Sequence, residues 1–404
     1  MVSKIQKDSK KLTFFIIAYW HDPRFKRKIG GLIRMFELAD NLTRMGNSVI
    51  LFLPKIGYPK KQTIAKVIEI PFLDLPLIRP LSFHLISTLI LFGKLIERPD
   101  FLYIRQMNSF LPMLIAKLFR IPAFFEIPND PYLAYQLSGK IKHFLERIID
   151  RYSMILADKI VVLSQWSKRR LNQIGRIPLS KIVVLHSGTD TKLFRPLEKK
   201  ECCQKIGLEP SFIYVGFIGS FFLYQGIDTL IEAAPNILEK CAVARFLLVG
   251  DGPMMDTWKN KVKQKGLQNT FIFTGQVSYK KVPEYIGAMD LCVAPHKKET
   301  NQASPVKLFD YMACSRAFVA SDIEVVKEIT GDCNCALLVQ PDNPKQLAEG
   351  IIQLIEYPEK RRMMGANGRS FAGERFDRLE ITKHLINVFK DVKLGVLHEN
   401  RQIS

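Results

Sequence analysis

Apolar residues gather along this chain in short runs separated by amphipathic stretches. Residues 12–18, 48–53, 101–104, 123–127 and 159–163 are such runs in the first half. Each is brief and almost continuously apolar, which predicts strands buried on both faces. Between them, residues 32–45 and 140–157 carry apolar positions at helical spacing. Strand–helix alternation of this kind predicts a parallel sheet with helices on both faces.

The pattern breaks at residues 185–196, where Ser187, Gly188, Thr189, Asp190 and Pro196 give turn chemistry and a charged stretch follows at 198–201. This reads as an interdomain linker. New apolar runs then begin at 212–218, 245–249, 270–274, 291–294, 317–320 and 336–339, so a second domain of the same kind is expected. An amphipathic helix near 379–390 has no strand after it. The predicted fold class is α/β, with two doubly wound Rossmann-like domains facing across a cleft. Ligands of open α/β sheets bind outside the carboxyl ends of the strands, so the strand-to-helix loops should carry the chemistry.

Composition narrows the picture. With 404 residues, 47% hydrophobic and 24% charged, the chain can bury a core in each domain. Lys and Arg number 59 against 39 Asp and Glu, a net charge of +20. Nucleic acid, an anionic membrane surface and anionic small substrates all fit such a charge. The basic residues are scattered, with short clusters at 24–28, 168–170 and 297–298, and none forms the long run of a nucleic-acid tail. The seven cysteines include no C-x-x-C, and Cys333 and Cys335 alone would leave a zinc ion two ligands short. Reduced thiols and a cytoplasmic location are expected. Residues 12–18 are too few to span a bilayer, and 81–96 is interrupted by Ser82, His84, Ser87, Thr88 and Lys94. The latter reads as a buried or interfacial helix.

Four loops are candidates for binding. Gly30 and Gly31 precede a helix after the first strand, where glycine amides can approach an anion. Gly219, Ser220 and Gln225 follow the strand 214–218 in the same way. The strand 246–249 runs into a tight turn, Gly250-Asp251-Gly252-Pro253. After the strand 291–294 comes the segment from Gln302 to Met312. There Ser304 is expected as N-cap and Pro305 at the first helical position. Lys307 would then oppose the helix dipole, so local stability does not explain it. A bound anion such as a diphosphate would, and Asp310, one turn on, could accept from ligand hydroxyls. The alternative is a solvated Lys307–Asp310 pair at i, i+3.

Read together, the segments FLLVGDGP (246–253), FIFTGQVSYKKVPEYIGAMDLCVAP (271–295), QASPVKLFDYMACSRAFVASD (302–322), ALLVQP (336–341) and HSGTDTKLFRP (186–196) resemble the retaining glycosyltransferases of family 4, which have the GT-B fold. In the first half, ELADNLTRMGNSV (37–49), RPDFLYIR (98–105) and RIPAFFEIPND (120–130) are similar too. The resemblance implies an acceptor-binding domain at 1–190 and a nucleotide-sugar domain at 191–375. A C-terminal helix at about 376–396 would pack back on the first. Gln302 and Asp310 fall where the family has its paired acidic residues, so the resemblance places Asp310 on the ribose hydroxyls and neutral Gln302 on the donor sugar. Ser220 and Gln225 stand where many members have Arg and Lys for the diphosphate, and Lys307 would replace that charge. Gln302, Lys307 and Asp310 are thus the expected catalytic set. Gly30, Gly31, Gly219, Ser220, Gln225, Gly250, Gly252, Val277, Ser304 and Pro305 are expected to bind the donor, and Glu126 is a candidate for acceptor binding, with a salt-bridged glutamate as its alternative.

The implied reaction moves a sugar from a nucleoside-diphosphate sugar to a hydroxyl of a saccharide or lipid-linked acceptor, with retention. No cofactor is expected, and no D-x-D motif marks a metal site. Peripheral contact with an anionic membrane, through residues 24–28 and 81–96, is expected; nucleic acid is not. The rival readings are a nucleotide-sugar epimerase of the same fold and a basic nucleic-acid-binding protein.

Overall fold

The computed structural model describes residues 11–19, 30–56, 63–75, 78–105, 109–128, 140–298 and 304–402. The chain divides into two units, Met1–His186 with Ile381–Ser404, and Ser187–Glu380.

The first unit holds a seven-stranded sheet of β1 (Thr13–Ile17), β2 (Ser48–Pro54), β3 (Lys66–Ile70), β4 (Phe101–Arg105), β5 (Ala123–Ile127), β6 (Lys159–Val162) and β7 (Ile182–Val184). Its order is β3-β2-β1-β4-β5-β6-β7, with every pair parallel. Successive side chains of β1 enter opposite layers, as strand geometry demands. Phe15 and Ile17 pack with Phe83, Leu91, Met113 and Met154, from helices Ile78–Lys94, Leu111–Leu118 and Lys140–Leu156. Phe14 and Ile16 pack with Met35 and Phe36 of helix Gly30–Arg44, and with Phe389 of helix Arg378–Gln402. The Phe389 ring lies 4.2 Å from Phe124, 4.8 Å from Phe101 and 5.1 Å from Phe14. The C-terminal helix therefore completes one layer of this sheet.

The second unit is a six-stranded sheet, β8 (Ile213–Ile218), β9 (Ala244–Val249), β10 (Phe271–Phe273), β11 (Leu291–Ala294), β12 (Phe318–Ser321) and β13 (Ala336–Val339). Its order is β10-β9-β8-β11-β12-β13, again all parallel. Both sheets thus reverse strand order once, between β1 and β4 and between β8 and β11. Those reversals are the switch points at which open sheets bind ligands. Two strands, β3 and β7, form the edges of the first sheet and were not expected. Lys66 and Glu69 interrupt the apolar run of β3, a charged edge of the kind that blocks further pairing. β7 has three residues, too few to stand out as a pattern.

Candidate functional site

At the second switch point β8 and β11 part. Their pairing ends at Cys292↔Gly216, so beyond it the two strands pair only with β9 and β12 on their outer sides. The Tyr311 hydroxyl occupies the fork: it accepts from the Ile218 N–H at 2.9 Å and donates to the Val293 carbonyl at 3.3 Å. A Cβ on Gly216 would overlap the Met289 side chain, which would have to move to admit one.

The loop after β8 lies across this opening. Gly226 has φ +70, and a Cβ on it would overlap the Pro295 carbonyl oxygen. The Lys297 N–H donates to the Tyr224 carbonyl at 3.0 Å, which ties the same loop to the one after β11. Lys297 Nζ in turn meets Asp228 at 2.7 Å and Asp342 at 3.1 Å. Gln225 is thereby held inward, 3% exposed.

Onto Gln225 comes Lys307. Its Nζ donates to Gln225 Oε1 and stands 4.1 Å from the centroid of the Phe217 ring. A Cβ on Gly219 would approach that ammonium to 3.3 Å, so the lysine tip lies directly beside the Gly219 backbone. Burial pushes the Lys307 pKa well below the ordinary lysine value. Gln225 and Phe217 are favourable to a cation, but neither carries charge. Among the described residues no carboxylate forms an ion pair with Lys307.

The structure corrects the local reading of this helix. It spans Lys307–Ala313, with Val306 at the cap position and no side-chain cap. The Pro305 carbonyl accepts from Leu308 N–H at 3.1 Å and the Val306 carbonyl from Phe309 N–H at 3.1 Å, a tight first turn that excludes Ser304 from capping. The Ser304 hydroxyl is instead buried with no hydrogen-bond partner among the described residues. Such a group calls for a partner of its own. Asp310 accepts from the Thr189 hydroxyl at 2.7 Å. Thr189, fully buried, is fixed by its N–H to the Phe376 carbonyl at 2.9 Å and its carbonyl to the Arg378 N–H at 3.0 Å.

Gly250 and Gly252 serve the passage of two loops. A Cβ on Gly250 (φ +142) would overlap the Gly219 carbonyl oxygen, and one on Gly252 would come within 2.7 Å of Phe221 backbone atoms. The turn after β9 is thus a support for the loop after β8. Ser220 is exposed on that loop, and Val277 is half-buried against the core of the unit. Gln302 lies outside the described residues.

In the first unit, helix Gly30–Arg44 begins with Gly30 and Gly31. Glu126, at the carboxyl end of β5, is wholly buried. Arg105 and Arg34 both pair with it, Arg34 at 3.3 Å, and the Tyr103 hydroxyl donates to it. Burial raises its pKa, but the two guanidiniums outweigh that, so its carboxyl titrates below the usual range. This is the salt-bridged alternative for Glu126: its oxygens serve three donors of its own unit. Arg34 also donates to the His186 carbonyl at 3.2 Å.

Sequence reasoning marked Lys307, Gln225 and Gly219, and the structure brings these three together. It did not mark Tyr311, Phe217 or Thr189. Phe217 and Tyr311 read as ordinary core aromatics; only the hydroxyl of Tyr311, beside the expected switch point, was a signal.

The family described as Glycosyl transferases group 1 matches residues 198–371, and Glycosyltransferase Family 4 matches residues 30–193. The chain is similar to alpha-D-kanosaminyltransferase of Streptomyces kanamyceticus, 21% identical over 294 residues, covering 71% of this chain and 75% of that protein. In structure it is similar to sucrose-phosphate synthase of Thermosynechococcus elongatus (TM-score 0.79, 18% identity, 95% of this chain and 100% of that one). It is also similar to Anabaena HepE in complex with UDP-glucose (TM-score 0.75, 16% identity, 94% and 100%).

Proposed function

Because the chain belongs to the GT-B-fold glycosyltransferases, we propose that it moves a sugar, with retention, from a nucleoside-diphosphate sugar to the hydroxyl of a saccharide or lipid-linked acceptor. The observation that carries this reading is Lys307, a buried lysine without an anionic partner among the described residues, set beside Gly219 at the carboxyl end of β8.

A buried ammonium without a counter-ion costs free energy, and the cost is recovered when an anion arrives. A diphosphate supplies that anion. As the bond to the sugar breaks, negative charge grows on the leaving diphosphate, and Lys307, charged once the diphosphate is bound, stabilises it without moving. Lys307 is the cation here, and the Ser304 hydroxyl adds a donor. Asp310, oriented by Thr189, is the acceptor for ribose hydroxyls, and Gln302 contacts the donor sugar as a neutral group. With lysine in this role the leaving group needs no metal. The UDP-glucose bound by HepE supports a nucleoside-diphosphate sugar as the donor class.

A thermal-shift panel of UDP-, GDP- and ADP-sugars tests the proposal. One donor is expected to raise the melting temperature, since ligand at about a hundred times Kd adds about 2.7 kcal/mol of apparent stability. That donor should then release its nucleoside diphosphate in the presence of acceptor, with the anomeric proton signal showing retention. A panel with no shift and no release would overturn it.

A further inference from the structure

The first sheet has a switch point of its own, and a charged cluster lies beside it. β1 and β4 pair as far as Ile17↔Ile104. Arg105, the last residue of β4, is the first beyond that pairing, and on its other side it is in register with Glu126 of β5. It therefore stands at the mouth of the reversal, where open α/β sheets take their ligands. By strand alternation its side chain lies on the side of Tyr103, in the layer that helix Gly30–Arg44 covers.

Two guanidiniums meet one carboxylate in this layer, and they are used differently. Arg34 commits all three of its nitrogens: Nε and Nη2 donate to Glu126 Oε2, each at 3.3 Å, and Nη1 donates to the His186 carbonyl at 3.2 Å. Arg105 commits one. Its Nη1 donates to Glu126 Oε1, and among the described residues its Nε and Nη2 have no hydrogen-bond partner. Those two nitrogens form the side-on edge of the guanidinium, whose parallel N–H bonds match the oxygens of a carboxylate or phosphate. Glu126 does not fill that edge. Its Oε1 takes Arg105 Nη1, and its Oε2 is shared by Arg34 and the Tyr103 hydroxyl.

Arg105 is only 8% exposed. Neutralising Glu126 does not account for it, because Arg34 already supplies a cation, and a second buried guanidinium adds desolvation and repulsion from the first. Burial pushes the Arg105 pKa below the ordinary arginine value; Glu126 pulls it up and Arg34 pushes it down. Arg34 also brings the amino end of its helix to the cluster. That helix has no acidic residue in its first turn to offset the positive end of its dipole. An oxyanion on the open edge of Arg105 would answer both charges.

We propose that Arg105 binds an oxyanion carried by the acceptor, a phosphate or carboxylate group gripped through Nε and Nη2. Lys307 of the second unit takes the diphosphate of the donor, which leaves the acceptor as the source of a second anion. A neutral saccharide would leave the edge unfilled, so the acceptor class is an acidic or phosphorylated one. The assignment to the acceptor rests on the sugar-transfer reading; the oxyanion site itself stands on Arg105 and its neighbours.

Inorganic phosphate, and separately acetate, are titrated by calorimetry into the full chain carrying Lys307→Met, which removes the cation of the second unit. At least one of the two is expected to bind saturably. Adding Arg105→Lys should weaken that binding about tenfold or more, because an ammonium keeps a charge beside Glu126 but has no planar fork. Circular dichroism should be unchanged. If Arg105→Lys does not fold, the wild-type chain is labelled with phenylglyoxal, and the anion should slow modification of Arg105, read by peptide mass, about fivefold or more. The donor separates the two sources of the anion: its thermal shift should be the same in Arg105→Lys as in the wild type. A shift lost in step with anion binding would give the edge to the donor and overturn the assignment to the acceptor. Binding of neither anion, or binding indifferent to Arg105→Lys with no protection from phenylglyoxal, overturns the site. A panel in which no donor binds would sink sugar transfer, and the acceptor with it, while the titration still decides the site.

Discussion

Lys307 stands over the Phe217 ring, its Nζ 4.1 Å from the centroid, while it donates to Gln225 from 82 residues away in sequence. The contact joins a helix of the β11 side to the strand and loop of the β8 side. It puts the cation at the switch point, where a ligand would be met, and it keeps that cation poorly solvated until a ligand comes.

Lys307→Met is accordingly expected to separate stability from function. The folded-state pKa of Lys307 is lowered, so the unfolded chain binds the extra proton between that value and about 10.4. Stability therefore rises with pH through that window and is reduced below it. Methionine removes the penalty. The melting temperature at neutral pH should rise, by about 1 kcal/mol of stability or more, while donor turnover falls about a hundredfold or more. Scanning calorimetry and a coupled assay of nucleoside diphosphate release read the two effects. A variant less stable than the wild type but equally active would contradict both.

Gly226→Ala tests how the loop after β8 is held. The residue has φ +70 and faces the Pro295 carbonyl, so alanine meets both backbone strain and overlap. A loss of about 1–3 kcal/mol is expected in urea denaturation. Gln225 is displaced with it, so the thermal shift given by the donor should shrink as well.

Tyr311→Phe removes one hydroxyl from the fork between β8 and β11. It leaves the Ile218 N–H and the Val293 carbonyl without that partner, at a cost of about 1–3 kcal/mol for a buried group. The denaturation midpoint should fall, and donor binding should weaken because Gly219 follows Ile218 directly. A variant with an unchanged midpoint would show that water fills the fork.

In the first unit, Glu126→Gln would leave Arg34 and Arg105 side by side without their counter-ion, a loss of about 3–5 kcal/mol. The pH dependence follows in sign. The folded pKa of Glu126 is lowered below the unfolded value of about 4.3, so its contribution is complete above that pH and is lost as pH falls through the folded value. Wild-type stability should therefore drop more steeply in acid than that of Glu126→Gln, which is already without the contribution. Parallel acid limbs would contradict this.

The chain's alternation of apolar runs and amphipathic stretches was enough to reveal both sheets, and β5, β11 and β13 begin and end where their apolar runs do. It did not reveal β3 and β7, because edge strands are charged or brief and lose the signal of double burial. In the site the legible residue was Lys307, whose place at a helix start conflicts with the dipole. Ser304 was misread for the opposite reason: a serine followed by a proline satisfies local rules for a cap, and the tight turn at Pro305 and Val306 sets that preference aside. Thr189 and Tyr311 act on partners 121 and 93 residues distant, and no local pattern reports such a meeting.

The central claim is that Lys307 holds a diphosphate, and proton uptake on binding tests it most directly. The donor chosen by the thermal-shift panel is titrated into the protein by calorimetry, in two buffers of different ionisation enthalpy, from about pH 6 to about pH 9. Burial lowers the pKa of Lys307 in the free site, and the two phosphate charges raise it in the complex. Between those two values binding should take up as much as one proton, affinity should fall as pH rises, and Lys307→Met should abolish the uptake. Binding of equal strength in Lys307→Met, with the same protons exchanged as in the wild type, would contradict the account.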